Sequence, residues 1–306
     1  MKASSTNGLT DEALAPHMPV VEGYPRPQWR AIGAIIDTLP AELVHDHWCA
    51  AARAWQNATA RYLGAPYVVR ETPNFLVLSP ADARASEVIG RFVERAWKQI
   101  VVQLDGLAEK DGHGKRVVML FASGDEYYEY SAFFYPEGEH PLSAGVFLNA
   151  EYGHVAMPLH DMPELEATIA HELTHCYVRS LPLPLWLNEG LAVTFENEIC
   201  MNRPLRMDPE RLGEHHEFWN EGTIQEFWDG RSFRRTDEGI DLSYELARYC
   251  VRALAHDRES FIEFAKNARF EDGGEAAAVA VYGGSLGGLI EQFFGPGDWT
   301  PRVSGN

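Results

Sequence analysis

Residues 161 to 196 read DMPELEATIAHELTHCYVRSLPLPLWLNEGLAVTFE, with His171-Glu172-Leu173-Thr174-His175 followed by Asn188-Glu189-Gly190. In a helix, an advance of about 100° per residue puts His175 only about 40° around from His171 and one turn along, so both imidazoles project to one side. Glu172 then lies about 100° from His171 and about 60° from His175. It flanks the chelating pair without joining it, as a carboxylate must if it serves as base to a metal-activated water.

The helix is signalled at both ends. Asp161 can cap its N-terminus, Glu164 stands three residues later as in a capping box, and Pro163 is tolerated in the first turn. Pro182 and Pro184 stop it. Leu165, Ile169, Leu173 and Cys176 fall opposite the histidines and predict a buried stripe, leaving small Ala167 and Thr168 on the histidine side. A catalytic zinc site usually takes three protein ligands and keeps one position open, so a third donor is needed, and Glu189 is the candidate. Pro184 can open a second helix, PLWLNEGLAVTFENEI, with Leu187 and Leu191 about 200° from Glu189. Gly190 and Ala192 would let these two helices approach closely.

HELTH followed by WLNEGLA resembles the gluzincins, zinc peptidases whose third ligand is a glutamate on the next helix, and most closely the bacterial MA-like peptidase group. The resemblance runs from about Asn74 to the C-terminus. It departs in spacing: 13 residues separate His175 from Glu189, fewer than in thermolysin or the large aminopeptidases, which suits a short loop between two helices. It implies one zinc ion held by His171, His175 and Glu189, with Glu172 as general base for hydrolysis of a peptide bond. It also implies an α+β fold of zincin type, a small α/β lobe with a mixed sheet followed by a mainly helical lobe.

The chain of 306 residues is 45% hydrophobic and 23% charged, enough for a sizeable core and two lobes. A formal net charge of -19 argues against nucleic acid or an anionic membrane as partner, since either requires clustered Lys and Arg. Cys49, Cys176, Cys200 and Cys250 are scattered without paired metal spacing and read as thiols. MKASSTNGLTDEALAPHMP carries no apolar leader, and no apolar run reaches the 18 or more residues of a membrane span. A cytoplasmic location is the default expectation, and with it a narrow substrate range.

Residues 1–25 lack periodicity and predict a flexible tail; 26–65 read as N-terminal helices, 66–158 as the α/β lobe and 159–306 as the helical lobe. His45 and His47 diverge by about 200° on a helix and cannot share a metal. Tyr67–Glu71, Asn74–Ser79 and Arg116–Ala122 read as strands, and residues 82–107 as a long amphipathic helix. Residues 123–142 read as a polar, aromatic loop containing Tyr127, Tyr128, Tyr130, Phe133, Phe134 and Tyr135. Ser143-Ala144-Gly145-Val146-Phe147-Leu148 predicts a strand with a small, exposed first half. The resemblance gives Ser143 to Val146 the part of an edge along which an extended peptide lies. Aminopeptidases of the family place a glutamate there, and SAGVFL has none, which favours cleavage within chains.

Beyond Cys200 the chain is mainly helical, clearest over residues 208–228 and 241–256. In the latter Leu242, Leu246, Tyr249 and Ala253 form a stripe, with Tyr244 about 160° from Leu246. SYELARY resembles the downstream gluzincin tyrosine whose phenol donates to the developing oxyanion, which assigns that role to Tyr244, with Tyr249 and Tyr282 as alternatives. His215 and His216 read as a solvated helix face, and GGSLGG as the entry to a last helix. The rival readings are a metal-stabilised protein-binding module without turnover, and a helix whose histidines hold no metal. The expected partner is a peptide or protein substrate.

Overall fold

The runs VVRE, FLVLS, RVVMLF, VFL and HVAMP are short and rich in β-branched and apolar residues, and they assemble into one five-stranded sheet. The computed structural model describes residues 11–108, 112–136, 144–201 and 209–302. In chain order, α1 (Asp11–Leu14) leads to the hairpin β1 (Val20–Val21) and β2 (Tyr24–Pro25), then α2 (Trp29–Ile36) and α3 (Ala41–Leu63). There follow β3 (Val68–Glu71), β4 (Phe75–Ser79), α4 (Ala83–Gln103), β5 (Arg116–Phe121), α5 (Gly124–Ala132), β6 (Val146–Leu148) and β7 (His154–Pro158). The rest is helical: α6 (Met162–Val178), α7 (Leu185–Glu196), α8 (Pro209–Phe218), α9 (Thr223–Trp228), α10 (Gly239–Leu254), α11 (Arg258–Asn267), α12 (Glu275–Tyr282) and α13 (Leu286–Phe294). This is a mixed α+β chain with a mostly helical remainder. It divides into two units, Met1–Trp97 with Asp111–Ile169, and Lys98–Lys110 with Ala170–Asn306.

In the first unit the strand order is β3-β4-β5-β7-β6; β4–β5 and β5–β7 are parallel and both outer pairs antiparallel. Leu76, Leu78, Val117, Met119, Phe121, Leu148 and Ala156 share one core with Leu14, Tyr24, Trp29, Ile32, Trp55, Tyr127 and Tyr130. The alternate residues Phe75, Val77, Val118, Leu120, Val155 and Met157 are buried as well. The middle strands are therefore covered on both faces, as parallel strands generally are. HVAMP therefore carries no alternation, and with Val155 its only β-branched residue it lacks the β-forming run that marks FLVLS and RVVMLF, so the sequence does not show it as a strand.

The stretch expected to be a polar loop after Ser123 is instead α5 over Gly124–Ala132, where Ser123 Oγ accepts the Glu126 amide at 3.2 Å. Tyr127 and Tyr130 on it are fully buried, so this aromatic cluster is a packed helix face. Of the segment expected to be a tail, residues 1–10 lie outside the described residues, while Leu14 and Tyr24 are core residues. Just past it, buried Arg26 donates from Nη2 to the Tyr130 carbonyl at 2.9 Å. Its guanidinium stands 4.2 to 5.2 Å from the rings of Tyr24, Tyr130, Phe133 and Phe134.

In the second unit α7 packs on α10. The helix expected over residues 208–228 is two, α8 and α9, broken where Asn220 Oδ1 caps the amides of Gly222 and Thr223. The buried face of α10 is Leu242, Ser243, Leu246, Ala247, Cys250, Val251 and Leu254, while Ala253 is exposed; the stripe lies partly to one side of the expected one. His215 is fully buried, contrary to the solvated face expected of it, and only His216 is exposed. The Trp219 indole donates to His215 Nδ1 at 3.0 Å, so the other nitrogen, 3.0 Å from Glu245 Oε2, carries the proton. GGSLGG enters α13 with Ser285 as its cap. Among the described residues no helix is long and apolar enough to cross a membrane.

His154 lies in the core of the sheet unit. The Tyr130 hydroxyl donates to its Nε2 at 2.7 Å, leaving Nδ1–H to donate to the Tyr152 carbonyl at 2.8 Å. Burial pushes its pKa down from 6.5 to about 4. The imidazole stays neutral in the fold but protonates in the unfolded chain below pH 6.5, so its contribution to stability is complete above 6.5 and is lost as pH falls towards 4. Urea unfolding at pH 7 and pH 4.5 should show the wild type losing about 2 kcal/mol more than His154→Gln over that interval. Equal losses would show that His154 is not the group responsible.

Candidate metal centre

The site begins with the cap expected from sequence: Asp161 Oδ1 accepts the Glu164 amide at 3.1 Å and α6 runs on to Val178. Leu165, Ile169, Leu173 and Cys176 are buried, which turns His171 and His175 to the other side with their rings 4.8 Å apart. Pro184 caps α7, so Leu185 rather than the proline is its first residue. This brings Asn188 and Glu189 into the first turn and a half, facing the histidines.

His171 Nε2 lies 3.4 Å, and His175 Nε2 3.6 Å, from the same oxygen, Oε2 of Glu189. Ligands about 2.0 to 2.1 Å from a tetrahedral ion stand roughly 3.3 Å apart, so both separations are close to those between donors on one ion. The opposite nitrogens are engaged: His171 Nδ1 is 3.3 Å from Glu196 Oε2, and His175 Nδ1 is 3.0 Å from Asn188 Oδ1. Each partner is an acceptor, so each Nδ1 carries a proton, which leaves Nε2 as the nitrogen that would ligate an ion once its own proton is displaced. Glu172 is buried, and a carboxylate oxygen of it lies within 4.8 Å of a ring nitrogen of each histidine; His171, Glu172 and His175 form a group that could hold a metal ion. Two carboxylates thus stand at the imidazole pair, with Glu189 the one shared evenly between the two Nε2 atoms.

Electrostatics favour positive charge at this point. Burial alone would keep His171 neutral, yet the carboxylates of Glu189 and Glu196 overcome it and raise its pKa to about 10. His175 is raised against burial too, chiefly by Glu189. Burial would raise the carboxyl pKa of Glu189, but His175 and His171 hold it well below the usual carboxylate range. Two imidazoles and a carboxylate suit zinc and other first-row divalent ions, so the residues fit a metal.

Tyr244, on the flank of α10, joins the cluster with its ring 6.5 Å from that of His171. Burial and then the nearby charges of Glu189, Glu172 and Glu196 push its hydroxyl pKa far up, so the phenol stays a donor at neutral pH. The alternatives serve elsewhere: the Tyr282 hydroxyl donates to the Leu254 carbonyl at 2.9 Å, and the Tyr249 ring stands 6.3 Å from that of His215. Ser143 lies outside the described residues. Ala144 and Gly145 precede the strand, which starts at Val146 and is the end strand of the sheet, shorter than expected. Gly145 is buried against Thr168, whose Cγ2 would stand 2.7 Å from an added Cβ.

Gly190 does its packing on a different helix from the one anticipated. An added Cβ would stand 2.7 Å from the Ala247 carbonyl oxygen and 2.8 Å from Val251 Cγ2, so it is α10 that it admits, not α6. Asn188 stands in the motif quoted from sequence but was given no role there, and Glu196 was not singled out. Glu196 follows Glu189 by seven residues, two helical turns on the same face, and that spacing was the available signal. No protein-family model matches the chain, and no curated protein is significantly similar to it in sequence.

Two measurements follow from this geometry. Glu196→Ala and Asn188→Ala should each weaken the binding of added Zn2+ about 10- to 100-fold in chelator competition; unchanged affinity would mean that the Nδ1 contacts do not orient the ligands. Gly190→Ala should lower unfolding stability by about 1 to 3 kcal/mol, because the new methyl group meets a backbone carbonyl that cannot turn aside. A neutral result there would show that α7 and α10 have slack.

Proposed function

We propose that the chain is a zinc-dependent peptidase of gluzincin type, cutting within peptide chains, with His171, His175 and Glu189 as the metal ligands. The observation that carries this reading is the approach of both Nε2 atoms to one Glu189 oxygen at 3.4 and 3.6 Å. The α+β arrangement with a mixed sheet is compatible with a zincin fold. When bound, zinc supplies a Lewis acid that polarises the scissile carbonyl and makes water acidic.

The remaining work falls to the protein. Glu172 is buried beside the ligand pair and is not needed to hold the ion; it takes the proton from the attacking water and passes it to the departing amine. Tyr244 keeps its phenolic proton and donates a hydrogen bond where negative charge develops on the carbonyl oxygen. Glu196 and Asn188 hold the imidazoles in one tautomer and orientation through their Nδ1 protons. The sheet's end strand β6 offers backbone groups to an extended peptide by strand addition, and Ala144-Gly145-Val146 carries no carboxylate to hold a free amine.

Purified protein reconstituted with one equivalent of Zn2+ should cleave members of a random peptide library. Glu172→Gln should retain the metal and lose turnover, and Tyr244→Phe should lower kcat about 100-fold. Full metal occupancy with no library member cut would replace the peptidase with the metal-stabilised binding module. Undiminished activity of Glu172→Gln would remove the proposed base.

A further inference from the structure

We propose that Phe233 is a positioning residue for Tyr244, aiming a phenol that no hydrogen bond aims. Its effect on turnover rests on the peptidase reading; its geometry does not. Among the described residues no hydrogen bond is made by the Tyr244 hydroxyl. No hydrogen bond from the described residues therefore selects among the rotamers open to a tyrosine on the flank of a helix. Two rings meet it: His171 at 6.5 Å, and Phe233 at 5.3 Å with an interplanar angle of 86°. The second is the preferred edge-to-face arrangement of aromatic pairs.

Phe233 is itself held hard. It is 7% exposed, in the one-turn helix Arg231–Arg234 entered through Gly230 at φ 83°. A Cβ at Gly230 would lie 2.9 Å from Leu185 Cδ2 and 3.0 Å from its Cβ, so only glycine lets this turn sit against the first residue of α7. The row of rings continues from Phe233 to Phe227 at 5.7 Å and from Phe227 to Trp186 at 6.0 Å. Trp186 is fully buried, anchored by its indole to the Gly273 carbonyl at 2.9 Å, and stands three residues before Glu189 on the same helix. The row thus refers the direction of the Tyr244 ring to the helix that supplies the Glu189 carboxylate.

The test uses full-length protein with 3-fluorotyrosine placed at position 244 and Co2+ bound in place of Zn2+. In the wild type the 19F resonance should be single, shifted from free fluorotyrosine and broadened by the cobalt. In Phe233→Ala it should move towards the free value and lose broadening, and Phe233→Leu, which keeps bulk at the site and guards against misfolding, should fall between. Metal affinity should stay within about threefold in both, since neither change touches a ligand or its Nδ1 partner. With a cleavable peptide, Phe233→Ala should lower kcat about 10- to 100-fold with little change in KM, and should add nothing to Tyr244→Phe in the double variant. A fluorine signal that is the same in all three proteins overturns the proposal, as do losses that add in the double variant. Wild-type protein that binds metal but cuts no peptide defeats the peptidase reading, while the fluorine comparison still decides whether Phe233 positions the ring.

Discussion

A single carboxylate oxygen, Oε2 of Glu189, shared by two imidazole nitrogens is the contact on which the helical unit depends. Three half-buried groups that would each be costly alone become compatible when positive charge is placed between them. The pattern of protonation says the same: the histidines are driven to hold protons and the glutamate to give its proton up. The helices are placed to keep that oxygen where it is. α6 presents the imidazoles from a helix whose opposite face is buried, and α7 starts immediately after Pro184, so that Glu189 comes round to meet them.

Close helix packing gives this arrangement its stiffness. At Gly190 the backbone of α7 lies against the carbonyl of Ala247 on α10, and Tyr244, one turn before Ala247, is thereby carried in beside His171. The residue next to Glu189 is a glycine because a carbonyl oxygen occupies the space its methyl group would need. The Nδ1 partners complete the arrangement from α7 itself: Asn188 and Glu196 lie on either side of Glu189 in sequence and reach the two imidazoles from one helix. One helix therefore supplies the carboxylate that faces both Nε2 atoms and both groups that engage the Nδ1 atoms.

Sequence made much of the local structure legible. The Asp161 cap, the buried stripe Leu165-Ile169-Leu173-Cys176, the stop at the prolines and the placing of Glu189 all follow from helical periodicity and backbone chemistry, which act over a turn or two. Strands β3, β4 and β5 were readable for the same reason. HVAMP was not, because a strand covered on both faces shows no alternation and this one, unlike FLVLS and RVVMLF, has no continuous β-forming run in its place; α5 was hidden by a run of aromatics that resembled a loop. His215 looked solvated beside acidic neighbours, whereas its burial depends on Trp219 and on Glu245, the latter 30 residues away.

Taken alone, the chain determined that two histidines share a helix face, that Glu172 flanks them, that a second helix carries Glu189, and that Tyr244 lies off the core stripe of its own helix. These are consequences of about 100° per residue, and no long-range contact is needed to derive them. Only the tertiary structure decided which helix Gly190 admits, which groups occupy the Nδ1 positions, and that Tyr244 comes to rest against His171 and Phe233. Each of these is a meeting of surfaces far apart in sequence, where periodicity gives the direction of a side chain but not what stands in front of it.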